Sequence, residues 1–312
     1  VHTKEYQPKC AGLTFRWISE PDDSPTAGWN KGLRMARGDI IGIINSDDFY
    51  SQDALKQVAE CFRKDSRCEI VYGDVNCVDE GNATVSIKRT KSHINFAALK
   101  DGNKLMEPAV FMKKQVLEKI GFFDENFRYA NDYEYWVRAA KNGIVFKHVP
   151  AVLANFRVLP TARSSGMKPE LFSECLVIQW KYYSVGRHFA ESFAHSVALY
   201  SQLSGVSLSN SFQIIYSDFM RKSGLCASKQ MDNYMRRCWE RILLRDAIYN
   251  VYKNRSEALK TAFHVLVHQP SAFLSEDGLI FFCRLVTTKD FYSSIKRGVK
   301  SLKGSKEPKN FF

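Results

Sequence analysis

The sequence predicts an α/β sandwich of Rossmann type over its first part, followed by an all-α region. Three observations carry this. Apolar runs of strand length alternate with amphipathic helical stretches over residues 13–157, the pattern of an α/β layer fold with a largely parallel sheet. One run, Ile40-Ile41-Gly42-Ile43-Ile44, is rich in a β-branched residue that suits a strand buried on both faces, and it stops abruptly at Asn45-Ser46-Asp47-Asp48. Beyond a small polar stretch at 161–168, residues 170–312 read as helix after helix, broken at Gly205, Gly224 and Pro270. A boundary near 160 then gives two parts, 1–160 and 161–312.

Residues 13–19 read as a first strand, with Phe15, Trp17 and Ile18 supplying bulk, and Pro21 breaks it. Ser24-Pro25 is a helix start, a capping hydroxyl before a proline at the first helical position. That helix is expected to run to Arg37 and end on Gly38 as a left-handed cap. The isoleucine strand follows, then a helix over 52–64 that Ser51 can cap. Residues 69–72 form a second buried strand, which Gly73-Asp74 leaves. Asp79-Glu80-Gly81-Asn82 marks a hairpin within 75–87. A short strand at 108–112, a helix at 113–120 closed by Gly121, and an aromatic loop at 122–127 come next. Asp132 opens a helix that Gly143 terminates, and 144–156 carries one or two strands broken at Pro150. The stretch 255–270 has the look of a helical-hairpin unit, in a single copy.

Composition narrows the class. A hydrophobic content of 45% with 25% charged residues is that of a globular protein with a full core. No apolar run approaches the roughly 18 residues that span a bilayer. The eight cysteines form no C-x-x-C pair and no zinc spacing, so they read as small buried hydrophobes of a reducing compartment, the cytoplasm. Residues 1–160 carry 23 Lys and Arg against 21 Asp and Glu, while 161–312 carry 22 against 12. The basic second part suggests an anionic partner, a membrane surface or a nucleic acid.

Adjacent carboxylates at the end of a strand lie where open α/β sheets bind ligands. They repel unless a cation or positive group sits nearby; the alternative is a pair of solvated acids before a helix. Around them stand Trp17-Ile18-Ser19-Glu20-Pro21-Asp22, Asn30-Lys31-Gly32 with Ala36-x-Gly38-Asp39, Tyr72-Gly73-Asp74, and Pro108-Ala109-Val110-Phe111. Gly121-Phe122-Phe123-Asp124-Glu125 and Asp132-Tyr133-Glu134-Tyr135-Trp136-x-Arg138 follow. In this order and spacing the set resembles the nucleotide-sugar-dependent glycosyltransferases of family 2, over residues 13–165.

The resemblance implies a GT-A fold and inverting transfer of a sugar from a nucleoside diphosphate donor to an acceptor hydroxyl, in surface polysaccharide or glycolipid synthesis. The acceptor would be a carbohydrate or a lipid-linked sugar. It implies that Asp47 and Asp48 match the family's metal and ribose position, the DxD motif, with Asn45 in place of the first acid, and that Mg2+ or Mn2+ is the cofactor. Hard carboxylate oxygens suit those ions, which neutralise a leaving diphosphate. Asp132 matches the family's catalytic base, the alternatives being a plain helix-start acid or Glu134 in that role. Asp22 matches a position near the donor nucleotide. Lys31 reaches a phosphate or is a solvated helix lysine, Trp136 stacks on a sugar or fills the core, and Arg138 makes an ion pair. The family's two opening strands have no counterpart here, and Leu159 stands where many relatives carry histidine. The chain is therefore expected to be an N-terminally incomplete copy that begins inside a longer protein.

In the last stretch Phe291, Ile295, Val299 and Leu302 fall at helical spacing, ringed by Lys296, Arg297, Lys300 and Lys303. This suits a helix lying on an anionic bilayer, as in a peripheral membrane protein, or one packed on its own domain. Two other classes stay open: an inactive transferase acting as an interaction protein, and a basic nucleic-acid-binding module. The latter lacks a zinc finger or RNP-like signature.

Overall fold

A computed structural model describes residues 12–159, 168–183, 187–224 and 255–268, with short helical pieces between 234 and 248. The basic stretch 288–312, Pro270 and the polar stretch 160–167 lie outside the described residues. In chain order the elements are α1 (Pro25–Met35), β1 (Ile40–Gly42), β2 (Phe49–Tyr50), α2 (Ala54–Lys64), β3 (Ile70–Val78) and β4 (Thr84–Lys88). A 3₁₀ turn (Glu107–Ala109) then leads into β5 (Val110–Lys113), α3 (Lys114–Ile120), α4 (Asn131–Lys141) and β6 (Phe146–Arg157). The helices α5 (Pro169–Tyr182), α6 (Arg187–Ser204), α7 (Leu208–Ser223) and α8 (Arg255–His268) complete it.

The α/β class with a helical continuation is as expected, but the sheet is mixed. Its order is β1-β5-β3-β6-β2, with β4 also on β3, and among the described residues only β3 and β6 pair in parallel. β1–β5, β5–β3, β3–β4 and β2–β6 are antiparallel. β3 and β4 are joined by the short turn 79–83, a connection that antiparallel pairing permits and parallel pairing does not.

β3 is the spine, and its alternation shows why. Ile70 and Tyr72 point into a cluster with Leu33, Met112, Tyr133 and Trp136, while Val71 and Val75 meet Val58, Phe62 and Leu153 on the other face. The first cluster runs on without a break into Phe172, Leu176 and Ile178 of α5 and Phe193 and Phe219 of α6 and α7. Each such fully buried side chain contributes roughly 1.5–3 kcal/mol relative to exposure.

Several local expectations are corrected. Residues 13–19 form no strand, and Leu13, Phe15, Trp17 and Ile18 are exposed, because no neighbouring ladder among the described residues receives them. The isoleucine strand is the sheet's edge, with only Ile41 buried, so it is not sandwiched. α1 stops at Met35 on an extended Ala36, and Gly38 is not left-handed. Ser51 does not cap α2 with its hydroxyl; Asp53 precedes that helix at φ 60°. β3 continues through Gly73 because a Cβ there would meet Ala151 O at 2.7 Å, so glycine lets β6 come close. β6 likewise passes Pro150 unbroken, with the register shift between Tyr72 and Asp74 absorbing it, as prolines in sheets require. Gly205 and Gly224 end α6 and α7 in left-handed geometry, where the sequence placed breaks. No helix among the described residues is long and apolar enough to cross a membrane. No disulfide joins any of the five described cysteines.

Candidate active site

The strand-end acids are fixed by pairing at the far edge of the sheet. β2 lies against the end of β6, with Phe49 opposite Asn155. That register brings Arg157 alongside, and its backbone N–H donates to Asp48 Oδ1 at 2.9 Å. The Arg157 guanidinium donates to the Asp47 carbonyl at 3.0 Å and the Glu80 carbonyl at 2.9 Å, tying the Asp47-Asp48 turn to the β3–β4 hairpin. Asp48 Oδ2 is buried with no hydrogen-bond partner among the described residues. Burial, and then the neighbouring Asp47, push the Asp48 carboxyl above its ordinary value.

A carboxylate that the sequence reading missed completes this corner. Glu107 opens the 3₁₀ turn before β5 and is only 7% exposed. Its Oε2 accepts from Asn45 Nδ2 at 3.3 Å, and Asn45 Oδ1 accepts from Trp29 Nε1 at 3.3 Å. Its Oε1 is buried and unpartnered among the described residues. Burial first, then the charges of Asp132 and Asp48, hold Glu107 well above the usual carboxylate range. Glu107 thus lies within electrostatic reach of both Asp48 and Asp132. In the sequence Glu107 directly precedes the Pro108 motif, but an acid before a proline reads equally well as a turn.

Asp132 sits in the first turn of α4, where a carboxylate is favoured by the helix N-terminus. Its Oδ2 accepts from Asn103 Nδ2 and its Oδ1 from the Tyr133 N–H, both at 2.7 Å. Burial raises its carboxyl to about 6, against the pull of those two hydrogen bonds. Glu134 is unlike it. That side chain is fully buried, takes the Arg138 guanidinium at 3.0 Å and the Tyr182 hydroxyl, and has Lys181 at 3.8 Å. Its lone pairs are engaged, which suits a strut and not a base. Arg138 also donates to the Phe122 carbonyl at 2.8 Å, and Trp136 is buried edge-on against Phe123.

Asp22 and Lys31 come together with each other, at 2.7 Å, with Glu20 at 2.8 Å from the same ammonium. Those two carboxylates raise the Lys31 pKa. Among the described residues no hydrogen bond or ion pair joins Asp22 or Lys31 to Asp47, Asp48 or Asp132. Asp74 of the Tyr72-Gly73-Asp74 motif is buried and accepts from the Thr90 N–H at 2.8 Å, closing the path out of β4.

No three His, Cys, Asp or Glu side chains among the described residues gather as a metal cage. The orphaned, buried Asp48 Oδ2 and Glu107 Oε1 are nevertheless hard donors short of a partner. Magnesium is commonly held by one or two carboxylates with substrate phosphates and waters supplying the rest, so the donor set fits.

A family model described as glycosyltransferase like family 2 matches residues 14–195. The chain is 25% identical over 208 residues to an uncharacterized glycosyltransferase of Methanocaldococcus jannaschii, covering 63% of this chain and 70% of that protein. It is 25% identical over 150 residues to the amylovoran biosynthesis glycosyltransferase AmsB of Erwinia amylovora, covering 46% of this chain and 50% of AmsB. Among solved structures, S. aureus TarS 1–349 in complex with UDP-GlcNAc aligns with a TM-score of 0.48 and 15% identity, over 86% of this chain and 80% of that one.

Proposed function

Because this chain belongs to the family 2 glycosyltransferases, we propose that it moves a sugar from a nucleoside diphosphate sugar to an acceptor hydroxyl with inversion. The observation that carries this reading is the corner where the Arg157 N–H holds Asp48 and the Asn45 amide holds Glu107, each carboxylate keeping one buried oxygen without a hydrogen-bond partner among the described residues. Asp48, with Asp47 beside it and Glu107 across from it, would hold a divalent cation. When bound, such an ion supplies positive charge against the departing diphosphate. Asp132 takes the proton of the attacking hydroxyl; a carboxyl at about 6 is ionised at neutral pH yet basic enough to accept it. Asp22 and Lys31 are assigned to the donor side, where their ion pair has to open before the ammonium can meet a phosphate.

A carbohydrate or lipid-linked acceptor in surface polysaccharide synthesis is supported by the likeness to AmsB. The experiment is release of nucleoside diphosphate from a panel of nucleoside diphosphate sugars, with Mn2+ or with a chelator. Asp48→Asn is expected to abolish the metal-dependent rate. Equal rates in wild type and Asp48→Asn, with and without the ion, refute the assignment.

A further inference from the structure

The loop that delivers Asp132 is held from outside the α/β part. Ala130, the residue at the cap position of α4, offers no side-chain cap. Instead Glu174 of α5, fully buried, collects three successive backbone N–H groups, from Arg128 at 3.2 Å, Tyr129 at 2.7 Å and Ala130 at 2.9 Å. Three consecutive amides aimed at one carboxylate form an anion-binding nest. The charge is balanced by Lys222 of α7, whose ammonium lies 2.7 Å from Glu174 Oε1 and 3.2 Å from Asp218. On the other side Thr26 donates to the Phe127 carbonyl at 2.9 Å, and Asn30 takes the Phe123 N–H at 3.0 Å. The chain entering α4 is thus gripped by α1 on one flank and by α5 and α7 on the other.

We propose that Glu174 and Lys222 are positioning residues for Asp132, fixing the entry to α4 and with it the place of the Asp132 carboxylate. The inference rests on the reading of Asp132 as the base. It gives the helical region a part in turnover: α5 supplies the anion, α7 the counter-charge, and the loop between Phe127 and Asn131 cannot shift without breaking three charge-assisted hydrogen bonds. A displacement of about 1 Å in a reacting group is enough to cost roughly 10²-fold in rate.

The test measures kcat and donor KM per folded molecule, on the full chain, with whichever nucleoside diphosphate sugar of the panel turns over fastest. Glu174→Gln and Lys222→Met are expected to lower kcat roughly 10²-fold with the donor KM unmoved, and Lys222→Arg to keep it. Because the pair acts only through Asp132, Glu174→Gln added to Asp132→Asn should slow the enzyme no further than Asp132→Asn alone. A residue that merely stabilises the fold lowers the folded fraction and leaves kcat per folded molecule alone. Wild-type kcat in Lys222→Met overturns the proposal even where Glu174→Gln does not fold, and so do losses that add fully to those of Asp132→Asn. Wild-type turnover in Asp132→Asn refutes the base reading and this inference with it, whereas the other two results refute the inference alone.

Discussion

Replacing Asp132 by asparagine should make the protein slower and, at neutral pH, more stable. The carboxyl is raised from the ordinary aspartate value of 3.8 to about 6, chiefly by burial. A folded-state value above the unfolded one means that protonation favours the fold. That contribution is whole below about 3.8 and is lost as pH rises through about 6. The difference of about 2 pH units corresponds to at most about 3 kcal/mol. Asp132 is only half-buried, and solvent screening brings the expected figure down to about 1–2 kcal/mol. The assay is urea unfolding of wild type and Asp132→Asn at pH 4, 5, 6 and 7. Wild type should lose that amount relative to the variant between pH 4 and pH 7. In parallel, the wild-type transfer rate should fall about tenfold per pH unit below about 6, as the base becomes protonated. Two stability curves that stay parallel across the range would show that burial does not raise the carboxyl, and the reasoning would fail.

Three further outcomes follow from particular contacts. Glu107→Gln removes a buried, half-partnered carboxyl, so cation-dependent nucleoside diphosphate binding should fall at least about tenfold, as for loss of one metal-site oxygen partner, without any drop in melting temperature; calorimetric titration with Mn2+ and a nucleoside diphosphate checks it. Gly73→Ala places a Cβ 2.5 Å from Leu153 Cγ and should cost about 1–3 kcal/mol in urea unfolding by forcing β3 and β6 apart. Glu134→Gln breaks the buried pair with Arg138 and should destabilise by about 3–5 kcal/mol, while the molecules that stay folded retain their turnover.

Local signals carried further than long-range ones. The helix at Ser24-Pro25 begins as its residues predict, with the Ser24 hydroxyl accepting from the Ala27 N–H at 3.1 Å. Gly121, Gly143, Gly205 and Gly224 lie at positive φ where each was expected to close a helix. Apolar content without a partner misled at 13–19, because a strand exists only where a second strand satisfies its backbone. β-branching at 40–44 misled for a related reason: it favours a strand but does not say whether that strand is central or at an edge. The motif order brought Asp48 and Asp132 into view, but Glu107 is 25 residues before Asp132 and 59 after Asp48 in the chain. Only the antiparallel pairing of β5 on β1 and β3 puts the turn before β5 at that corner. The role of α5 and α7 was equally hidden, since Glu174 and Lys222 are ordinary helix residues until their partners are seen.

Transfer rate and donor affinity, measured separately for wild type and Asp132→Asn, decide whether Asp132 is the base. Asparagine keeps the shape of the side chain and can still accept from the Tyr133 N–H, so the start of α4 should survive. Transfer should fall by roughly 10²–10⁴ with donor affinity nearly intact, because the contacts assigned to the diphosphate lie at Asp47, Asp48 and Glu107. Near-normal turnover in Asp132→Asn would contradict that role.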